Sequence, residues 1–349
     1  MAGTPEHDPP RIGAFQLLGP IGSTAYGRAF RARGDRQDRE VALHFLNRDE
    51  DGDGASALPL AVARCAQLSH PNVIAVEEHG RSEDDGSFYL VTESLDGVSL
   101  AAALEDEDAF PLPRALNVAL QIARALRAAH TLGIPHGALG PTNVRLSRVH
   151  GGELARVVGF DCAALSPRSS ALTGPYQAPE RAQGKTPDAR GDIFALGALL
   201  YRMLVGEAPT VEAPALRAPS LSNVSREPVP RALDELVARC LEPDPDARLS
   251  DLTSLMRGLR EVARELNLAS LDDRLTPLAS TLPPPDTTLI DAEASSSLFG
   301  GEGPTKRVGG AWVIAGLLMA LAAVWLVWEA SVRARPRTQR HGEPEREGP

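Results

Sequence analysis

The chain has 349 residues, 43% of them hydrophobic, which is enough to build a sizeable core. Its formal net charge of −10 argues against nucleic acid as the main partner, because phosphate binding needs a basic face. Cys65, Cys162 and Cys240 lack the close spacing of zinc or redox sites, and the histidines are scattered. We therefore expect a reduced domain without a metal site.

The first part of the sequence predicts a small lobe rich in strands. Residues 1–11 are polar and contain proline, so we expect a disordered N-terminus. They have no basic stretch leading into an apolar one, so we expect no secretory signal and a cytoplasmic folded domain. Short apolar runs between turn signals then predict an N-lobe over about 12–92, with one helix near 59–68. The predicted strands are 15–18, 29–31, 41–46, 73–76 and 88–92.

From residue 113 the apolar pattern changes to a helical period. Leu116, Leu120, Ala123, Leu126 and His130 share one face of a predicted helix, which Gly133 ends. Residues 193–205 are apolar almost all round and predict a buried central helix. Two more amphipathic helices are predicted over 233–240 and 252–262. A strand-rich lobe followed by a helical C-lobe, about 98–266, is an α+β arrangement, and together they make one domain, 12–266.

The remaining sequence predicts a membrane anchor. Residues 267–307 are rich in Ser, Thr, Pro and acidic residues, which predicts a disordered linker. Residues 308–328 carry no charge and would span about 30 Å as a helix, so we expect a single transmembrane helix. Residues 329–349 form a short Arg-rich tail. The positive-inside rule favours a cytosolic tail, whereas the missing secretory signal favours a cytoplasmic domain, and we expect the latter.

Several motifs follow one another in a familiar order. Residues 136–143 read His-Gly-Ala-Leu-Gly-Pro-Thr-Asn and line up with H-R-D-L-K-P-x-N, while 159–161 read Gly-Phe-Asp and line up with D-F-G. Residues 41–44 line up with V-A-I-K, 178–180 with A-P-E, and 192–197 with D-I-W-S-L-G. From about residue 15 to 259 the chain resembles the eukaryotic-type Ser/Thr protein kinases of bacteria. The resemblance implies a two-lobed protein-kinase-like fold.

The resemblance also implies that the catalytic positions are degenerate. His44 stands at the phosphate-pairing lysine, and Ala61 at its glutamate partner when counted without gaps; Glu50 or Asp53 would serve only in another register. Ala138 stands at the catalytic base, Gly140 at the second lysine and Gly159 at a metal-binding aspartate. All five positions lack the family's charged groups, so we predict no catalytic residue.

The residues that keep the family pattern leave open whether the chain binds a nucleotide. Gly22 and Gly27 match the glycine-rich loop that approaches ATP phosphates, and Glu93 lies in the hinge, where the family binds adenine through backbone groups. Asn143 matches a magnesium ligand and stands alone unless Asp161 is displaced by two residues. We therefore expect no required cofactor, with ATP binding undecided and magnesium disfavoured.

The other matching residues support the fold. His136 matches the structural histidine of the catalytic loop, Asp192 the aspartate that braces that loop, and Glu180 and Arg248 a buried ion pair. They say little about activity.

Three functions are compatible with these patterns. The favoured hypothesis is a membrane-anchored pseudokinase with protein partners, such as an active kinase or a phosphothreonine-recognition module that would read Thr287 or Thr288. One alternative is an atypical or weak Ser/Thr kinase that uses Asn143, His44 and Asp161. The other is a nucleotide-binding switch without turnover.

Overall fold

The structure is a computed structural model that describes residues 11–35, 37–46, 54–83, 86–149, 152–161, 174–209 and 218–268. The chain divides into two units, 1–290 and 291–349, and every described residue lies in the first. The predicted linker (apart from its first two residues, 267 and 268), transmembrane helix and tail lie outside the described residues. Within the described ranges, no helix combines the length and apolar character needed to cross a bilayer.

The N-lobe is built on an antiparallel sheet of six strands in the order β1-β2-β3-β4-β6-β5. One helix, α1 (Gly54–Ala66), packs against it beside β5. The strands are β1 (Arg11–Ile12), β2 (Phe15–Thr24), β3 (Gly27–Gly34), β4 (Gln37–Leu46), β5 (Val76–Arg81) and β6 (Phe88–Glu93).

Two N-lobe predictions differ from the structure. The strand predicted over 73–76 is wrong, because Val73 forms only an isolated bridge to Val157 and β5 starts at Val76. The backbone there links the lobes instead, since Ile74 N donates to Val157 O at 2.9 Å. Helix α1 begins at Gly54, ahead of the predicted start at Pro59, and Pro59 lies inside the helix.

The C-lobe is helical with a small sheet of three strands. Its long helix α3 packs on the buried α5, on α8 and on β9. The elements are β7 (Val98–Ser99), α2 (Leu100–Glu107), α3 (Leu112–Thr131), β8 (Val144–Val149), β9 (Gly152–Val157), α4 (Pro179–Ala182), α5 (Ala189–Val205), α6 (Leu221–Val224), α7 (Arg231–Cys240) and α8 (Leu252–Glu265). The helices predicted from the 3.6-residue period are therefore present at the predicted places.

The two lobes share one continuous apolar core. It runs from Tyr26 and Leu90 in the N-lobe to Phe194 and Leu259 in the C-lobe. Asn72 adds a buried polar connection, since its Nδ2 donates to Gln121 Oε1 at 3.0 Å and to Ala155 O at 2.8 Å. Because buried amides need partners, these hydrogen bonds join the two lobes at the side of Asn72.

Candidate functional site: the cleft between the lobes

The segment aligned with the glycine-rich loop forms a tight hairpin. Strands β2 and β3 pair Thr24 with Gly27, so Ala25 and Tyr26 form a two-residue turn, called the hairpin tip below. Gly22 and Gly27 have φ of +130° and +137°, a backbone conformation that favours glycine. These two glycines therefore shape the hairpin whether or not a nucleotide binds.

The hairpin tip is folded into the cleft. Ala25 and Tyr26 are each only 1% exposed. The backbone N–H of Ala25 donates to Asn143 Oδ1 at 2.6 Å, and the Tyr26 hydroxyl donates to the Phe160 carbonyl at 2.9 Å. Both acceptors belong to the C-lobe, so the chain's own residues occupy the region where the resemblance would place phosphates.

His44 is a buried, neutral part of this arrangement. It lies on β4 with no exposed surface, and Tyr26 packs edge-on against its ring. Its Nδ1 lies 3.0 Å from Thr24 Oγ1 and its Nε2 lies 3.0 Å from Thr92 Oγ1. Burial lowers the pKa of His44 from 6.5 to about 3, so the side chain carries no charge at pH 7. It cannot take the role of a phosphate-pairing lysine.

The low pKa of His44 makes stability depend on pH. The unfolded chain takes up this proton below pH 6.5 and the folded chain only near pH 3, so stability falls as the pH falls through that window. Between pH 7 and pH 5 we expect the native chain to lose about 2 kcal/mol more unfolding free energy than His44→Gln. Urea unfolding at both pH values measures the difference. Equal losses in the two proteins would contradict the assigned pKa; the buried His136 is present in both proteins, so its contribution cancels.

Asn143 is hydrogen-bonded to residues of both lobes. It is 2% exposed in a single 3₁₀ turn, Pro141–Asn143. Its Oδ1 accepts from Ala25, and its Nδ2 donates to the Ala138 carbonyl at 2.7 Å. Ala138 itself packs against Ala25. The amide oxygen that would face a metal ion is therefore held by the hairpin tip, and the position of the base is an apolar contact.

Gly159 has no room for the aspartate that the family carries. Its φ is +107°, which L side chains rarely adopt. A Cβ atom there would lie 2.7 Å from Ala25 Cβ and 3.2 Å from His136 Cε1. The hairpin tip thus occupies the place of a metal-binding carboxylate. These residues do not fit a magnesium–nucleotide complex, and among the described residues no group of three His, Cys, Asp or Glu side chains is arranged to hold a metal.

Asp161 faces helix α1 and not Asn143. Its backbone has φ +54°, and its Oδ2 lies 3.4 Å from Arg64 Nη1. Burial raises the pKa of Asp161, while the Arg64 guanidinium opposes that rise. This arrangement does not favour the hypothesis of a displaced metal ligand, because the carboxylate already has a cationic partner.

Of the remaining degenerate positions, one carries a methyl side chain and the other is a glycine. Ala61 is 3% exposed and belongs to the core of α1, where a glutamate would have been directed to the lysine. Gly140 precedes the 3₁₀ turn and accepts from Asn143 N at 3.1 Å. Neither position brings a charge to the cleft.

The hinge carbonyls and Glu93 also have partners. The Glu93 side chain accepts from Ala75 N at 3.2 Å and pairs with Arg156. Its carbonyl accepts from the Thr92 hydroxyl at 3.0 Å, and the Leu95 carbonyl accepts from Arg145 Nη2 at 2.8 Å. A carbonyl oxygen has a second lone pair, so these contacts reduce the hinge's capacity for adenine without removing it.

Asp192 holds the catalytic-loop segment. It is 2% exposed and accepts from His136 N at 2.8 Å and from Gly137 N at 2.9 Å. His130 Nε2, also 2.8 Å away, adds a third contact that sequence reasoning missed. The only signal for it was that His130 ended the helical face read in the sequence. His136 itself contacts the Val158 carbonyl at 3.0 Å, and burial lowers its pKa.

Glu180 and Arg248 form a buried bidentate ion pair. The guanidinium donates to both carboxylate oxygens, at 2.7 and 2.9 Å, and the Arg248 side chain has no exposed surface. Burial alone would raise the pKa of Glu180, but the hydrogen bonds from Arg248 hold it below its ordinary value. The pair fixes the start of α4 against the loop before α8.

Three contacts at the cleft have little or no sequence signal. They are the Thr24 and Thr92 hydroxyls on His44, the hairpin tip on Asn143, and Arg64 on Asp161. The Thr92 contact joins neighbouring strands β4 and β6, whereas the Thr24 contact crosses the intervening strand β3. The other two join residues of different lobes and depend on how the lobes meet.

The two lobes, the hairpin over the cleft and the braced loop after α3 define a protein-kinase fold. The sequence matches the protein kinase domain family over residues 15–259, and the chain belongs to that family. The crystal structure of the Mycobacterium tuberculosis PknI kinase domain is similar, with a TM-score of 0.61, 23% identity, and coverage of 73% of this chain and 99% of that one. At this identity the likeness concerns the fold alone.

Curated relatives are bacterial serine/threonine-protein kinases. PknB of Mycolicibacterium smegmatis is 29% identical over 281 residues, which cover 74% of this chain and 44% of PknB. The DNA damage-responsive kinase RqkA of Deinococcus radiodurans is 34% identical over 209 residues, which cover 57% of this chain and 31% of RqkA. The chain thus spans less than half the length of these relatives.

Proposed function

We propose that the chain is a pseudokinase, a protein-kinase-like domain that acts as a signalling scaffold or regulator without transferring phosphate. The observation that supports this most is the hairpin tip in the cleft, where Ala25 bonds Asn143 and leaves no space for a carboxylate at Gly159. Phosphoryl transfer depends on positioning and charge stabilisation by lysine, metal and base. Loss of one comparable group costs about 10²–10³ in rate, and here several are replaced together.

The proposal extends to the anchor and the partners. Residues 308–328 would attach the domain to the cell membrane as a single pass, with the domain in the cytoplasm. The partners would be proteins, such as an active kinase or a phosphothreonine-recognition module. A kinase fold without the catalytic charged residues keeps a rigid surface that a protein can bind. If the chain did transfer phosphate, its relatives favour serine or threonine as the acceptor.

Thermal unfolding of the full-length chain against ATP, with and without magnesium, tests the proposal. We expect the midpoint to stay unchanged up to millimolar ATP. Binding with ATP at 100 times its Kd would add about 2.7 kcal/mol of stability and shift the midpoint by several degrees. A phosphotransfer assay with labelled ATP on the same preparation should give no labelled protein.

Each positive result would favour one alternative. A saturable rise in the midpoint without phosphotransfer would support the nucleotide-binding switch, since the hinge carbonyls keep a free lone pair. Phosphotransfer that Asn143→Ala abolishes would support the weak Ser/Thr kinase and overturn the pseudokinase. An active relative, tested in parallel, controls for the assay.

A further inference from the structure

A composite surface forms where helix α1 of the N-lobe meets the end of α3 in the C-lobe. Arg64 on α1 donates from Nη2 to the Gly133 carbonyl at 2.9 Å, while its Nη1 faces Asp161. The Arg64 side chain remains 40% exposed while it makes these contacts. Because one side chain touches both lobes, the neighbours of Arg64 and of Gly133 belong to one continuous surface.

Two exposed leucines lie on this surface, one from each lobe. Leu60 precedes Arg64 by one helical turn, so both share a face of α1, and Leu60 is 69% exposed. Leu132 directly precedes Gly133 and is 46% exposed. Among the described residues, only Val98 and Val224 are further large hydrophobic side chains with comparable exposure. Half of the exposed large hydrophobic residues in this part of the chain thus lie beside Arg64 or Gly133, which join the lobes.

The same surface is basic in an acidic chain. Although the net charge is −10, residues 54–76 and 109–152 contain no aspartate or glutamate. Arg127 of α3 is exposed, and the buried Asp161 beneath Arg64 is only 7% exposed, so the outward charge is cationic. Burial, and then the charges of Arg124 and Arg127 on α3, lower the pKa of His70.

We propose that the interlobe surface, defined by Leu60, Arg64, Arg127 and Leu132, is a docking site for an acidic amphipathic segment of a partner protein. Apolar side chains of that segment would cover the two leucines, and its carboxylates would meet Arg64 and Arg127. The inference rests on the proposed function, for which it names the class of partner. Because both lobes contribute, the surface is complete only while the lobes are closed.

Peptide selection on the full-length chain tests this surface. Random 12-residue peptides displayed on phage are selected against the chain in detergent micelles, and selected peptides are measured by fluorescence anisotropy. We expect enrichment of Asp and Glu together with Leu, Ile, Phe and Met. The selected peptides should bind at least tenfold more weakly to the triple variant Leu60→Ser, Arg127→Glu, Leu132→Ser.

A matched variant controls for the number and kind of changes. Val98→Ser, Val224→Ser, Arg257→Glu alters two exposed apolar residues and one exposed arginine elsewhere, and it should bind the peptides like the native chain. Thermal unfolding of both variants checks that they fold.

Three outcomes of the peptide experiment would overturn the proposal. They are the absence of any selected peptide, selection of basic or neutral peptides, and equal binding to the triple variant. Self-association of the native chain that the triple variant loses would assign the surface to a second copy and would likewise reject the acidic segment. ATP binding or phosphotransfer would reject the proposed pseudokinase function, whereas the peptide experiment would still decide whether the interlobe surface binds acidic segments.

Discussion

Replacing Arg248 by methionine is expected to lower the free energy of unfolding by about 3–5 kcal/mol, because it leaves Glu180 as an unpaired buried carboxylate. The Arg248 side chain has no exposed surface, and the Glu180 side chain is 6% exposed. The change also removes donors from the carbonyls of Glu242, Arg190 and Pro243. Urea unfolding at pH 7 measures the loss.

The exposed pair Arg231 and Glu235 on α7 provides the control. It has the same charges at i and i+4 on the helix surface, so Arg231→Met should cost no more than about 0.5 kcal/mol. Adding Glu180→Gln to Arg248→Met should recover part of the stability, since it removes the unpaired charge. An Arg248→Met protein as stable as the control variant would show that the buried pair does not hold the C-lobe together.

Replacing Gly159 by alanine is expected to cost about 2–5 kcal/mol. The positive φ of +107° costs a side chain about 1–2 kcal/mol, and the contact with Ala25 Cβ at 2.7 Å adds about 1–3 kcal/mol of overpacking. Because Ala25 belongs to the hairpin tip, the contact exists only when the tip lies in the cleft. Chemical denaturation of the native chain and of Gly159→Ala measures the total cost.

Gly184→Ala separates backbone strain from the contact. Gly184 has φ +82°, and a Cβ atom added there would meet nothing within 4 Å, so only the strain should appear. Ala25→Gly combined with Gly159→Ala should recover the contact term, which a double-mutant cycle isolates. A Gly159→Ala cost equal to that of Gly184→Ala would place the hairpin tip outside the cleft in solution.

The order of lobes and helices could be predicted because it depends on the local spacing of apolar residues along the sequence. The apolar run that predicts the central helix 193–205 corresponds to α5, and the short apolar run at 41–46 corresponds to β4. The strand predicted at 73–76 fails because its apolar residues serve the junction between lobes, where Val73 meets Val157. Local pattern does not distinguish these two uses of buried Val and Ile.

The candidate site was predictable in composition but not in arrangement. Aligned motifs identify His44, Ala138 and Gly159 as replacements of charged residues. They do not indicate that Ala25 bonds Asn143 across 118 positions of sequence, because that contact depends on the angle between lobes. Nor do they indicate that Arg64 pairs with the carboxylate of Asp161, because Arg64 lies outside the aligned motifs.

The hydrogen bond from Ala25 to Asn143 has a consequence for how the domain responds to its surroundings. A cleft that closes around a diffusible ligand follows the concentration of that ligand. Here donor and acceptor belong to one chain, so the equilibrium between open and closed cleft does not depend on the concentration of a ligand. The closed shape, and any surface that depends on it, would then stay constant as the energy state of the cell changes.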